Sequence, residues 1–95
     1  MARFMALVEL KQPKPNLIPS LHDVMEEEGF RKTIRSNEGN TYTLPDGQYR
    51  LQATIDLEEA YNRAKNAIRR VHDGDYSLIV SGQNHSMWRG LEQED

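Results

Sequence analysis

Twelve Lys and Arg against fifteen Asp and Glu leave this 95-residue chain with a net charge of −3. That balance excludes a uniformly basic nucleic-acid coat and leaves only local positive patches as candidates for binding a polyanion. The length suits one domain with one core, and the lack of cysteine excludes a disulfide framework or a thiolate metal site. The apolar run from Phe4 to Val8 is too short for a signal segment or for a membrane span of about twenty residues, so a soluble, unprocessed, cytoplasmic protein is the expectation.

Phe4, Ala6, Val8 and Leu10 alternate with Arg3, Met5, Leu7 and Glu9. That period of two, apolar on both faces, predicts a central strand. Pro13 and Pro15 end it, and Asn16 stands where an N-cap belongs. Leu17, Ile18, Leu21, Val24 and Met25 then recur at helical spacing up to Gly29, which suits a left-handed cap. Glu26, Glu27 and Glu28 crowd the end of this helix where its dipole disfavours negative charge, and neighbouring Arg31 and Lys32 are candidates to offset them.

A second strand is predicted from Phe30 to Ser36. Arg31, Thr33 and Arg35 would share one face, while Phe30, Lys32 and Ile34 share the other, with Phe30 and Ile34 filling the core. Asn37 to Asn40 supply hairpin turn chemistry. The return strand, Thr41 to Leu44, is broken by Pro45, Asp46 and Gly47 and resumes from Gln48 to Thr54. Asp56 with Glu59 three residues on forms a near capping box for the second helix. Its stripe is Leu57, Ala60, Tyr61, Ala64, Ala67, Ile68 and Val71, with Arg69, Arg70 and His72 at the favourable end and Gly74 after it. Tyr76 to Ser81 alternate as a strand, and after a turn at 82–85 a short last strand is expected around Met87 to Leu91, followed by an acidic disordered tail at 92–95.

Strand, helix, strand, strand, helix, strand with one extra short strand predicts an α+β, ferredoxin-like sandwich as a single domain over 1–91. Both helices would cover one face of an antiparallel four-stranded sheet. The other face stays open. Arg31, Thr33 and Arg35 with Lys32 and Tyr42 then form a candidate RNA-binding surface of cations and an aromatic platform.

For proton transfer the candidates are Glu9, at the end of the first strand, and His85, in the turn beside Trp88 and Arg89. Asp46 is a further carboxylate, though turn formation accounts for it. The histidines His22, His72 and His85 lack zinc spacing, with His22 and His72 read as structural. No metal, cofactor, phosphate loop or dinucleotide fingerprint is expected. A metabolic enzyme is correspondingly disfavoured.

The VEL ending of the first strand (Val8, Glu9, Leu10), the LHDVMEEEGF run from Leu21 to Phe30, the RKTIRS strand and TYTLP from Thr41 to Pro45 together resemble the small bacterial GhoS-type antitoxin endoribonucleases, once a domain of unknown function. The likeness covers most of the chain. It implies a ferredoxin-like fold similar to CRISPR adaptation nucleases, a homodimer, and cleavage of single-stranded RNA such as a toxin's message. The family has an aspartate where the first strand ends, and Glu9 stands at that place. The rival expectation is a non-catalytic, dimeric protein-interaction module of phage or plasmid regulator type.

Overall fold

In a computed structural model that describes residues 1–82 and 84–91, the elements follow the order β1 (Ala2–Leu10), α1 (Leu17–Glu27), β2 (Thr33–Arg35), β3 (Thr41–Thr43), β4 (Gln48–Ala53), α2 (Leu57–Val71), β5 (Tyr76–Gly82) and β6 (His85–Arg89). The expected acidic tail at 92–95 lies outside the described residues.

β1 is central, antiparallel to β4 on one side and to β5 on the other, and β6 extends the β5 edge. Its alternation sends Phe4, Ala6 and Val8 to the helix side. There they join Tyr49 and Leu51 of β4 and Tyr76, Leu78 and Val80 of β5 in one buried cluster. Leu21, Val24 and Met25 of α1 and Ala60, Ala64, Ala67 and Ile68 of α2 complete it. Small side chains along α2 let that helix approach its neighbours closely.

Local chemistry explains the helix ends. The Asp56 carboxylate accepts the Glu59 backbone N–H at 2.8 Å, the expected N-cap. Asn16 holds the N-cap position of α1 in a left-handed conformation, but its side chain caps nothing. Past α1, Gly29 (φ 96°) donates to the Glu26 carbonyl and Phe30 to that of Met25, a Schellman motif whose hydrophobic member, Phe30, is buried. The glutamates at this end are answered from α2 rather than by Arg31 and Lys32. Arg70 reaches Glu27 at 3.1 Å and Glu28 at 3.9 Å.

The fold is ferredoxin-like, with one rearrangement. The expected second strand does not run through the sheet. It touches β4 at one point, where Arg31 and Arg50 exchange backbone hydrogen bonds of 2.7 and 2.8 Å, and then leaves as a two-stranded ribbon with β3. Thr33, Ile34, Arg35, Thr41, Tyr42 and Thr43 are all exposed, so neither ribbon face has an apolar set to bury and nothing holds it against the helices. Ile34 is therefore outside the core.

β6 supplies the fourth strand instead. The Arg89 guanidinium lies 4.2 Å from the Tyr76 ring centroid and donates to its hydroxyl at 3.1 Å, and the Ser77 hydroxyl donates to the Gly90 carbonyl at 2.7 Å.

The ribbon returns to the sheet at Gly47, as the Pro45 break predicts. Gly47 has φ 88°, its carbonyl accepts the Val8 N–H at 2.7 Å, and a Cβ there would collide with the Val8 carbonyl. Only glycine meets both demands.

Candidate nucleic-acid interface

Register decides which side chains share the sheet face away from the helices. Gln48, Leu7, Ile79 and Trp88 form one row across four strands, and Arg50, Met5, Ser81 and Ser86 form the next. Arg3 stands beside Gln52 at one end, and Glu9 beside Ser77 at the other. Neither helix covers this face: Leu7 is 51% exposed and Trp88 59%.

Arg31, opposite Arg50, adds a second guanidinium to the β4 edge of the same face, and Arg3 is a diagonal neighbour of Arg50. Among the described residues none of these three arginines forms an ion pair. Like charges directly opposite each other on a sheet are destabilising by a few tenths of a kcal/mol, up to about 1. An anion between them would reverse the sign. From Arg50 to Trp88 is three strand spacings, about 14 Å, so one short single strand could lay its phosphates on the arginines and a base on the indole.

The sequence-predicted residues are brought together only in part. Arg31 is on the open face. Thr33 and Arg35 follow it into the ribbon, paired with Thr43 and Thr41, and the Arg35 guanidinium lies over the turn at Gly39. Tyr42 pairs with Ile34 and so occupies the ribbon face opposite Thr33 and Arg35. Lys32 leaves the basic surface altogether. Its ammonium lies 5.6 Å from the centroid of the Tyr49 ring, 3.3 Å from the Asp46 carboxylate and 3.2 Å from the Leu44 carbonyl, which pins β2 to the return loop.

Glu9 and His85 do not meet. Glu9 is at the C-terminal end of β1 on the open face, ion-paired to Lys11 at 2.6 Å, and this ammonium holds its carboxyl below the usual carboxylate range. His85 pairs with Gly82, which pairs with Phe4, so it belongs to the helix-side face at the other end of the strands. It borders a hollow with Phe4, Ile55 and Leu57. Nor does His85 converge with Arg31, which is four strand spacings away, about 19 Å.

Sequence reasoning missed the arrangement beneath the ribbon. His22 Nδ1 lies 2.6 Å from the Tyr49 hydroxyl with the rings edge-to-face, and His22 Nε2 is 3.8 Å from Asp46. Burial and then the Lys32 charge depress the His22 pKa, while burial and then Asp46 raise that of the Tyr49 hydroxyl. The available signal was Tyr49 itself. A tyrosine on the apolar face of a strand needs a partner for its hydroxyl, and His22 was the polar group flanking the facing helix stripe. Among the described residues no cluster of three His, Cys, Asp or Glu could hold a metal ion.

These features define an α+β domain of ferredoxin-like topology whose open sheet face carries, at one edge, arginines without an ion-pair partner among the described residues and, at the other, an exposed tryptophan. No helix among the described residues is long and apolar enough to cross a membrane. No family model matches the chain, and no curated protein matches it significantly.

Proposed function

We propose that this chain is a cytoplasmic single-stranded RNA-binding protein of the GhoS type, holding phosphates on Arg31, Arg50 and Arg3 and stacking a base on Trp88. One observation carries the reading: two arginines are set directly opposite each other on a bare sheet face, without an ion-pair partner among the described residues. The natural target in this reading is a toxin's message in a toxin and antitoxin pair, and the motif resemblance supports that choice.

Anisotropy titration of a labelled single-stranded RNA at several salt concentrations is the test. Each phosphate contact contributes about 0.7 to the logarithmic salt slope on single strands, so an Arg31→Ala, Arg50→Ala double variant should lose about 1.4 of it. Unchanged slope and affinity would remove the arginines from the interface.

Cleavage by Glu9 and His85 would need two chains, since within one chain they occupy opposite faces and opposite ends of the sheet. Mixing Glu9→Gln and His85→Ala proteins is the check. In a dimeric nuclease with a shared site the mixture should recover cleavage that neither variant has alone, whereas full activity in both single variants would exclude the pair.

The bare apolar row of Leu7, Ile79 and Trp88 favours a second reading, a non-catalytic module that dimerises through this face. A solution mass of two chains that falls to one on Leu7→Lys, with no RNA bound by the wild type, would select it.

A further inference from the structure

Between Trp88 and Arg50 the open face holds a pair of hydroxyls. Ser81 of β5 stands directly opposite Ser86 of β6 with their oxygens 2.8 Å apart, and neither hydroxyl has another hydrogen-bond partner among the described residues. Ser86 is two residues from Trp88 on the same strand, about 7 Å away on the same face. Ser81 is separated from Arg50 only by Met5 of the central strand, two strand spacings or about 10 Å. Ser81 also lines a hollow of about 250 Å³ with Met5, Leu7, Ile79 and Gln48. Drug-sized pockets begin near 300 Å³, so this one suits a single sugar or base.

We propose that the Ser81 and Ser86 hydroxyls read the ribose 2′-hydroxyl, so that this face selects RNA over single-stranded DNA. The inference rests on the RNA-binding reading above and adds sugar selectivity to it.

Each serine hydroxyl has one donor and two acceptor lone pairs. One O–H lies in the bond between the two oxygens, which leaves the pair with one donor and with free lone pairs on both oxygens. The ribose 2′-hydroxyl is the complement. It is itself a donor and an acceptor, and it is the group by which a protein tells RNA from DNA. A deoxyribose presents only C–H bonds at that place, so it would displace water from the serine pair without returning a hydrogen bond, which is unfavourable.

Position joins this pair to the rest of the interface. With a base stacked on Trp88, the attached sugar lies over Ser86 and Ser81, and a chain continuing across Met5 brings its phosphates to Arg50.

The test compares three oligomers of uracil that differ only at the sugar: ribose, 2′-deoxyribose and 2′-O-methylribose. The methyl ether keeps the ring pucker of RNA but has no O–H to donate, which separates hydroxyl reading from backbone shape. One neutral hydrogen bond is worth roughly two- to tenfold in affinity, so the ribose oligomer should bind about fivefold tighter than either of the others. In a Ser81→Ala, Ser86→Ala double variant the three affinities should converge. The serine pair also supports the pairing of β5 with β6, so urea midpoints accompany the titrations. A lower midpoint with an unchanged sugar preference would make the pair structural only and overturn the proposal. Wild-type affinity for the ribose oligomer equal to that for either of the others would also overturn it, leaving single-strand binding by the arginines and Trp88 standing. No salt-sensitive binding of any oligomer would overturn the RNA reading and the sugar selectivity with it.

Discussion

The Nδ1 of His22 and the hydroxyl of Tyr49 stand 2.6 Å apart, joining α1 to β4 at the point where the chain leaves the sheet for the ribbon. Lys32 over the Tyr49 ring and Asp46 beside both make this the polar hinge of the molecule. The Tyr49 residue is only 1% exposed, so its hydroxyl cannot simply trade partners with water. Tyr49→Phe should therefore cost about 1–2 kcal/mol, read as a lower urea midpoint at unchanged slope. A double-mutant cycle with His22→Ala should give a non-zero coupling. Full additivity would show that the two side chains do not interact.

The same hinge makes stability depend on pH. The groups facing His22 are Lys32, Asp46, Asp23 and Tyr49, and the net effect of burial and these charges is a folded pKa below the ordinary 6.5. Between the folded value and 6.5 the unfolded chain binds more protons, so stability rises with pH across that window and is lost as pH falls through it. Tyr49 acts at the alkaline end. Its folded pKa is raised above the ordinary 10.0, so its contribution is complete below pH 10 and is lost above it as the unfolded tyrosine ionises first. Urea midpoints from pH 5 to 8 should climb in the wild type and climb less in His22→Gln. Parallel curves would remove His22 as the source.

Gly47 and Gly39 offer a matched pair. Both have φ near 90°, but a Cβ at Gly47 meets the Val8 carbonyl whereas one at Gly39 has only the far end of Arg35 nearby, at 3.6 Å. Gly39→Ala should show only the cost of an unfavourable backbone, on the order of 1 kcal/mol. Gly47→Ala should exceed it, because the backbone hydrogen bond to Val8 must also shift. Thermal unfolding of the two variants side by side measures the difference.

Trp88 and Tyr42 separate the two candidate aromatic platforms. Both are exposed, so neither alanine variant should move the melting temperature much. Trp88→Ala should weaken single-stranded RNA binding by about 1–3 kcal/mol, the range for loss of one stacked base. Tyr42→Ala should have little effect, since it stands on the ribbon face beside Ile34. The reverse result would move the interface to the ribbon.

Arg70 tests the helix pairing. Its 3.1 Å contact to Glu27 is exposed, and half-buried Glu28 is farther off at 3.9 Å, so Arg70→Ala should cost under about 1 kcal/mol, and the cost should shrink in high salt. A salt-independent loss would indicate packing by the arginine stem instead.

Legibility followed sequence distance. The period of two in β1, the stripe and Asp56 cap of α2, the Gly29 ending of α1 and the Pro45 break each depend on neighbours within a few residues, and each is present as read. The basic surface was only half legible. Arg31 is on the open face, but alternation could not show that Lys32 would bend toward Tyr49 or that Tyr42 would pair with Ile34. Arg50 and Arg3 went unnoticed because only their register positions, beside Arg31 and across from Met5 and Gln52, give them company.

From sequence alone, then, the elements, their order and the one-sided helix layer were determined, because hydrophobic period and capping chemistry are local. Which strand takes the fourth place in the sheet, which arginines face one another, and the separation of Glu9 from His85 were decided by tertiary structure. Those depend on the register of segments far apart in the chain. There a shift of one residue turns a side chain to the other face; the polar ribbon, with no apolar face to bury, leaves the β4 edge, while a strand anchored by Arg89 on Tyr76 pairs at the opposite, β5 edge.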